Sequence, residues 1–297
     1  MMPPLLSFIV ATRNRSDSLA RCLESVEAQR YPHCEILVVD DASADDTERM
    51  VRVRFPAVSC LRTREQLGTG RALALGAQQA TGEILVNLDD DALFASHDAA
   101  GDIVSKFEER PEIGVLCLRC EAPDGSVRRR EIPRRDKRIP ETDTELGYFL
   151  GGAVAFRASA LTAAGGYPTD IGWGSWENDV AYRLFKAGVR TLFTPGIRVI
   201  HYAIPSPENT DEREANYVRS EIHLAARYLP APYAHIHAGL WVALSTLQAL
   251  ECGHLRVTLR AIGGGLRQWH DLRAQLCDRL TARQAWHLSR LSGRTWY

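Results

Sequence analysis

The first two-thirds of the chain alternates short apolar runs with longer segments of helical periodicity. The clearest runs are LLSFIVAT (5–12), CEILVVDDAS (34–43), EILVNLDDD (83–91) and IGVLCLRC (113–120). Between the first two lies SDSLARCLESVEAQ (16–29), whose apolar residues recur at helical intervals. The same order continues with a weak strand at 59–64 and helices at 44–54, 69–80 and 97–110. Continuous apolar strands that alternate with amphipathic helices predict an α/β fold with a mostly parallel sheet flanked by helices.

Acidic residues follow two of these predicted strands, at the point where each strand ends. Asp40 and Asp41 close the second run, and Asp89, Asp90 and Asp91 close the run that begins at residue 83. In open α/β sheets, ligands bind beyond the carboxyl ends of the strands. We therefore expect these carboxylates to face a ligand. The alternative is a solvated turn with a helix-capping aspartate.

The absence of glycine-rich phosphate loops narrows the choice of ligand. The loop after the first strand, ATRNRS, lacks the G-x-G-x-x-G of dinucleotide sites, and no G-x-x-x-x-G-K-[ST] motif occurs in the chain. A metal held by carboxylates is the other way to neutralise a diphosphate. Hard oxygen ligands such as Asp89 and Asp91 suit Mg²⁺ or Mn²⁺.

Composition excludes several classes of function. The 297 residues are 45% hydrophobic and carry a formal net charge of -1, which argues against a nucleic-acid binder. The seven cysteines are odd in number and scattered, which predicts reduced thiols and a cytoplasmic location. Cys117 and Cys120 lie in a predicted strand, so they point to opposite faces and favour core packing over a redox or metal pair. The apolar run at 5–11 is too short for a signal peptide or a membrane span.

Three segments together resemble family 2 glycosyltransferases of the GT-A fold. They are SFIVATRNRSDSLARCLESVEAQRYPHCEILVVDDASADDT, ATGEILVNLDDDA and FLGGAVAFRASALTAAGGYPTDIGWGSWENDVAYRLFKAG. The resemblance implies a GT-A catalytic domain, to which we assign residues 1–204, and leaves 205–297 as a helical appendage. It also implies transfer of a sugar from a nucleotide-diphosphate donor to an acceptor hydroxyl, with inversion of configuration as the expectation and retention as the alternative that no residue settles.

The resemblance implies a nucleotide site at the first two strand ends. Ala11, Thr12 and Arg13 would line the nucleoside pocket, Asp41 would hydrogen-bond the base, and Asp40 would support it. Helix capping before ADDT is the alternative for the two aspartates.

A divalent cation is the next implication of the resemblance. Asp89 and Asp91 would hold Mn²⁺ or Mg²⁺ as the D-x-D pair, and Asp90 would lie close to the donor sugar or ribose. His201 would complete the metal shell, since imidazole is an acceptable ligand for Mn²⁺. A structural role is the alternative for this lone histidine.

The resemblance also implies that the segment WENDVAYRL contains the catalytic base. Glu177 aligns with the base, where many members of the family have aspartate. Asp179 is the second acid and becomes the base if the alignment slips by two residues; otherwise it interacts with the helix dipole.

The acceptor side would contain glycines and tryptophans. Gly151 and Gly152 leave room for a ligand or another backbone. Trp173 and Trp176 would form a platform for a sugar ring, with buried packing as the alternative for either.

One position departs from the family pattern. The family shows an Arg–Asn pair shortly before the glycine equivalent to Gly76, whereas this chain has Leu73 and Ala74 there. The nearest arginine, Arg71, is therefore the candidate for contacting the donor phosphates.

Two segments lie outside the resemblance. SVRRREIPRRDKR (126–138) is strongly basic and predicts a mobile loop beside the active site, which would meet an anionic acceptor, a lipid phosphate or a membrane surface. A solvated loop is the alternative. The tail predicts helices that pack on the catalytic domain, with peripheral membrane contact as the second choice. We expect the glycines at 263–265 to break its last helix.

Two rival functions and the acceptor stay open. A nucleotide-binding scaffold would have lost transfer, and a sugar nucleotidyltransferase would need the glycine-rich loop that ATRNRS does not supply. The acceptor can be a saccharide, a lipid-linked glycan, a peptide side chain or a small molecule.

Overall fold

A mixed sheet of nine strands forms the centre of the protein. The computed structural model describes residues 3–134, 136–171, 174–204, 210–274 and 279–291, with the backbone alone for 210–214. The strands are β1 (Leu6–Thr12), β2 (Cys34–Asp40), β3 (Ser59–Arg62), β4 (Ile84–Leu88), β5 (Ala92–Phe94), β6 (Ile113–Glu121), β7 (Thr144–Leu146), β8 (Ala153–Arg157) and β9 (Arg190–His201).

Helices cover both faces of this sheet and make up the C-terminal part of the chain. They are α1 (Ser16–Glu27), α2 (Thr47–Arg54), α3 (Thr69–Gln79), α4 (Ala99–Glu109), α5 (Ala158–Ala163), α6 (Trp176–Lys186), α7 (Thr210–Tyr228), α8 (Tyr233–Cys252), α9 (Leu255–Arg267), α10 (Trp269–Ala274) and α11 (Ala282–Arg290), with a short 3-10 turn at Arg129–Glu131. No helix within the described ranges is long and apolar enough to cross a membrane.

The strand order is β3-β2-β1-β4-β8-β6-β9-β5, and β7 pairs with β9. The first four strands of this order are parallel to one another, as the apolar runs predict. β8 lies antiparallel between β4 and β6, and β5 and β7 are antiparallel to β9. The predicted α/β architecture is confirmed, but the second half of the sheet is mixed because three short strands return through it.

Each face of the sheet has its own apolar core. Phe8 and Phe107 belong to the core beneath α1 and α4, and Phe149 and Phe156 belong to the core beneath α3 and α6. Cys120 packs in the first and Cys117 in the second, and both thiols are free. Strand alternation therefore separates the C-x-x-C pair, as predicted.

Two antiparallel registers bring distant segments to the end of β4. Leu88 pairs with Ala153, and the N–H of Asp89 donates to the carbonyl of Gly152. Ala92 pairs with His201 across β5 and β9. The three aspartates are therefore enclosed between a glycine loop and the last residue of β9.

Buried polar contacts join the C-terminal helices to α6. On α7, Glu221 accepts hydrogen bonds from Ser175 Oγ and Asn178 Nδ2, both 2.6 Å, and the Tyr228 hydroxyl donates to Asp179 at 2.6 Å. The predicted boundary at 204/205 borders residues outside the described ranges, and it stays a prediction.

The prediction that the glycines at 263–265 break the helix is wrong. The helix runs without interruption from Leu255 to Arg267. A Cβ atom on Gly265 would lie 3.1 Å from Ile222 Cβ, and one on Gly264 would lie 3.3 Å from Arg219 Nε. The glycines allow α9 to approach α7 closely, and this packing outweighs their low helix propensity.

We expect opposite effects from substitutions at two of these glycines. Gly263 has open space around its Cβ direction, so Gly263→Ala should raise the free energy of unfolding by about 0.5–1 kcal/mol through helix propensity. Gly265→Val should lower it by about 1–3 kcal/mol, because the side chain would press on buried Ile222. Urea denaturation of the full chain measures both, and equal effects of the two substitutions would contradict the close approach of α9 and α7.

Candidate active site

A cavity of about 720 Å³ opens at the carboxyl ends of β1, β2 and β4. Most of the residues predicted for the site line it. They are Ala11, Thr12, Arg13, Asp41, Asp89, Asp90, Asp91, Gly151, Gly152, Trp176, Glu177 and His201. Asp40, Arg71 and Asp179 are elsewhere, and Trp173 lies outside the described residues.

Three side chains at the floor of the cavity form a set of possible metal ligands. Each of Asp89, Asp91 and His201 offers one ligand atom, and these atoms lie within 4.8 Å of one another. His201 Nε2 is 3.1 Å from Asp91 Oδ1 and 3.8 Å from Asp89 Oδ2. Two carboxylate oxygens and one imidazole nitrogen are a donor set that fits Mn²⁺ or Mg²⁺.

The side chains of this cluster shift one another's pKa values. Burial lowers the pKa of His201, but hydrogen bonds to Asp91 and Glu131 outweigh it and raise the pKa to about 10. Burial acts to raise the pKa of Asp91, and the contacts with His201, the N–H of Ile204 and Arg15 lower it overall. The cluster thus attracts positive charge, as a cation site must.

Two residues of the basic loop hold His201 in place, and sequence reasoning missed both. Glu131 Oε1 lies 2.8 Å from His201 Nδ1, so the other ring nitrogen faces the aspartates. Arg128 Nη1 donates to Glu131 Oε1 at 2.9 Å and to the carbonyl of His201 at 2.8 Å. A carboxylate behind a ligating histidine fixes the orientation of its ring. The only signal in the sequence was the presence of acids, Glu131 and Asp136, within a segment rich in arginine.

Asp90 is buried at the cavity wall and is held by two residues near the end of β1. Thr12 Oγ1 donates to its Oδ2 at 2.7 Å, and Arg15 Nη1 lies 2.9 Å from its Oδ1. Burial raises the pKa of Asp90 to about 6, against the opposing effects of Arg15 and Thr12. Arg15 lies on the same loop as Arg13 but was not predicted, and it also reaches Asp91 at 3.4 Å. Asp90 therefore joins the loop between β1 and α1, called here the first loop, to the aspartate-containing loop after β4.

Asp41 organises the end of the cavity where the resemblance places a nucleoside. Its carboxylate accepts the N–H groups of Leu67 and Gly68 at 2.7 and 2.9 Å, which shapes the loop before α3. Arg13 Nη1 donates to the carbonyl of Asp41 at 2.6 Å. Asp40 is fully buried and accepts the N–H of Ser43 at 2.8 Å, so it supports the turn from beneath.

Gly151 and Gly152, which were predicted for the acceptor side, allow other side chains to approach the backbone closely. A Cβ atom on Gly151 would lie 2.3 Å from Trp176 Cζ2 and 2.7 Å from Glu177 Oε1. One on Gly152 would lie 2.9 Å from Asp89 Oδ2. Trp176 is only 4% exposed and packs against Phe149, so its ring serves mainly as core, which was the alternative reading.

Glu177 and Asp179 occupy different environments on α6. Glu177 lines the cavity, whereas Asp179 is buried outside it. Asp179 receives two bonds from Arg183, at 2.8 and 2.5 Å, and one from the Tyr228 hydroxyl. Asp179 is therefore held by structural contacts, and Glu177 is the acid of α6 that lines the cavity.

Arg71 lies apart from the predicted donor site. It lines a second cavity, of about 450 Å³, and its Nε donates to the carbonyl of Thr169 at 2.7 Å. In this structure Arg71 therefore does not replace the arginine that the family shows shortly before the glycine equivalent to Gly76.

The chain belongs to the glycosyl transferase family 2, whose family model matches residues 7–163, more than half of its length. It is a glycosyltransferase of the GT-A type.

Curated relatives are similar at low identity. The N-acetylglucosaminyl-diphospho-decaprenol L-rhamnosyltransferase of Mycobacterium tuberculosis is 25% identical over 82% of this chain and 88% of its own length. The O-antigen biosynthesis protein RfbC of Myxococcus xanthus is 24% identical over 92% of this chain. The match spans only 23% of the length of RfbC.

Solved structures share the fold. The mannosyltransferase PcManGT from Pyrobaculum calidifontis, in complex with GDP-Man and Mn²⁺, aligns with a TM-score of 0.61 at 24% identity and covers 98% of this chain and 88% of its own. S. aureus TarS 1–349 in complex with UDP-GlcNAc aligns with a TM-score of 0.65 at 16% identity, over 91% of this chain and 83% of its own. At these identities the likeness shows the architecture alone.

Removal of the carboxylate behind His201 should loosen the cation site. We expect Glu131→Ala to weaken Mn²⁺ binding by about 10–100-fold, because the imidazole loses the partner that orients it. Glu131→Gln should restore part of the affinity, since its amide oxygen can still accept from Nδ1. Titration with Mn²⁺, followed by the electron paramagnetic resonance signal of the free ion, measures this.

The exposed Glu108→Gln on α4 is the matched control and should bind Mn²⁺ like the wild type. Wild-type affinity in Glu131→Ala would show that Glu131 does not position His201.

Proposed function

We propose that this protein is a metal-dependent, inverting glycosyltransferase that moves a sugar from a nucleotide-diphosphate donor to an acceptor hydroxyl. The observation that carries the proposal is the meeting, in one cavity, of the Asp89–Asp91–His201 cluster with Glu177. The cluster offers ligands for a cation, and Glu177 offers a base. A base that accepts the hydroxyl proton and a cation that stabilises the leaving diphosphate each accelerate displacement of a diphosphate by a hydroxyl group.

The donor would bind with its nucleoside between the first loop and Asp41. Ala11, Thr12 and Arg13 line this end of the cavity together with Asp41. The Asp41 carboxylate has already fixed the loop at Leu67 and Gly68, and its remaining acceptor capacity suits the N–H group of a base. The role of Asp90 would be indirect, because Thr12 and Arg15 hold it inside the protein.

Asp89, Asp91 and His201 would hold Mn²⁺ or Mg²⁺, and the imidazole ligand favours Mn²⁺. When bound, such a cation neutralises the charge of the leaving diphosphate. Arg15, which lies at the same end of the cavity, adds a fixed positive charge beside Asp91. Glu131 and Arg128 keep His201 in its orientation throughout.

Glu177 would act as the general base. The acceptor oxygen forms a bond to the anomeric carbon while the bond from that carbon to the diphosphate oxygen breaks, and the hydroxyl proton passes to Glu177. A single displacement of this kind inverts the configuration of the sugar. Asp179 cannot take this role while Arg183 and Tyr228 occupy its carboxylate.

Similarity to a mycobacterial relative and one arginine in the cavity wall support a proposal for the class of acceptor. The mycobacterial relative, similar along most of its length, is named for a lipid-linked acceptor. Arg130 of the basic loop lines the same cavity, where a cationic side chain suits an acceptor phosphate. We therefore propose a lipid-linked saccharide as the acceptor, ahead of a free saccharide, a peptide side chain or a small molecule.

A scaffold that binds nucleotide without transferring sugar is the remaining rival. It would need no base, so the presence of Glu177 in the cavity favours the transferase. Slow hydrolysis of a sugar donor in the absence of any acceptor separates the two, because a scaffold releases no free sugar.

Loss of the base should slow turnover strongly and leave donor binding intact. We expect Glu177→Gln to lower the rate of sugar release from UDP-N-acetylglucosamine, GDP-mannose or dTDP-rhamnose, whichever the wild type hydrolyses, by about 10²–10⁴-fold. Nucleotide affinity should stay within error, because Glu177 makes no contact with the nucleoside end of the cavity in this account. Discontinuous assay of the released sugar, with calorimetry for binding, measures the two.

Glu27→Gln, an exposed change on α1, is the control for the loss of a carboxylate. Full turnover of Glu177→Gln would remove it from the mechanism and leave the protein without an identified base.

A further inference from the structure

The helix α8 presents an apolar face to solvent. Its five members, called here the α8 face, are exposed to between 45% (Leu244) and 58% (Leu247 and Leu250), with Ile236 and Leu240 between these values. They are spaced by four, four, three and three residues, so they form one stripe along the helix. The opposite side of α8, with Ala234, Ala238 and Ala249, is buried in the protein.

An exposed stripe of this size requires an explanation. Scattered apolar residues are normal at protein surfaces, but a continuous apolar strip marks a contact with something else. Glu251, at the end of α8, is the only acidic, lysine or arginine residue in the helix. The α8 face therefore offers no charge for a polar partner to recognise.

The adjacent helix α9 supplies charge of one sign. Its sequence contains Arg256, Arg260 and Arg267, all exposed, and no acid. Leu259 and Leu266 are also exposed, at 50% and 48%. Leucine beside arginine on the outward side of a helix is the composition of helices that lie in the headgroup region of a membrane.

We propose that the α8 face and the arginines of α9 bind the surface of an anionic lipid bilayer. The leucines would enter the boundary between headgroups and acyl chains, and the guanidinium groups would meet lipid phosphates. The alternative occupant is a second copy of this chain. A self-contact would bring two sets of α9 arginines toward one another with no acid on that helix to pair them, so charge complementarity favours lipid.

The bound surface would lie close to the active site. Trp241 of α8 packs against Tyr217 of α7 with ring centroids 5.3 Å apart, and Tyr217 lines the active-site cavity. The helix α8 and Tyr217 of α7 would therefore lie between a bilayer on the α8 face and the cavity. The proposal goes beyond the glycosyltransferase function and does not depend on which acceptor is used.

Co-sedimentation of the full chain with lipid vesicles tests the proposal. We expect binding to vesicles of phosphatidylcholine with about one-third phosphatidylglycerol, and much weaker binding to pure phosphatidylcholine, with the difference reduced at high salt. The triple variant Leu240→Ser/Leu244→Ser/Leu247→Ser should lose binding to both. Arg256→Gln/Arg260→Gln/Arg267→Gln should lose only the preference for anionic vesicles, by about fivefold per arginine.

Val53→Ser is the matched control, because Val53 is 72% exposed on α2, away from the proposed surface. It should bind vesicles like the wild type. Since every substituted side chain is exposed, circular dichroism should be unchanged, and the single variant Leu247→Ser serves if the triple variant misfolds.

Two results would overturn the proposal. One is the absence of binding to anionic vesicles, or equal binding by the wild type and the leucine variants. The other is a wild-type dimer in analytical ultracentrifugation that the leucine substitutions convert to monomer, which would assign the α8 face to a second copy. Neither assay contains a sugar donor, so failure here is distinct from failure of the proposed transferase activity.

Discussion

The mutual repulsion of Asp89, Asp90 and Asp91 is the constraint on which the site depends. The protein reduces it unequally along the triplet. Asp90 is buried and paired with Arg15, and Asp91 contacts both Arg15 and the imidazole of His201, whereas the side chain of Asp89 remains 43% exposed. This gradient, from a buried anchor to an exposed ligand, leaves negative charge where a cation would bind. The β4–β8 and β5–β9 pairings hold the backbone of the three aspartates in place.

The same logic separates the two acids of α6. Residues two positions apart on a helix point in nearly opposite directions, so Glu177 and Asp179 cannot both face the cavity. Buried bonds from Arg183 and Tyr228 fix Asp179 on the protein side, and this leaves Glu177 on the cavity side. Because Tyr228 belongs to α7, the C-terminal helices take part in setting the direction of the proposed base.

Much of the fold could be predicted from local patterns, but long-range pairings could not. Long apolar runs revealed β1, β2, β4 and β6, since each is buried on both faces. β5 and β7 have only three residues each, too few for a periodicity to show, and their partner strand is far away in sequence. Glu131 was hidden for a related reason: its role depends on reaching His201 across 70 residues. The glycines of α9 gave a wrong prediction of a helix break, because their close packing against α7 outweighs their low helix propensity.

Calorimetric titration with UDP, GDP, dTDP and CDP tests whether the aspartate cluster binds a cation together with a nucleoside diphosphate. Wild-type protein and Asp91→Ala would be compared in Mn²⁺ and in EDTA. We expect one nucleotide to bind the wild type in Mn²⁺, and we expect this binding to be lost in EDTA and in Asp91→Ala. Equal binding with and without the metal, or no binding by any of the four nucleotides, would contradict the assignment of the aspartate cluster to a cation and a diphosphate.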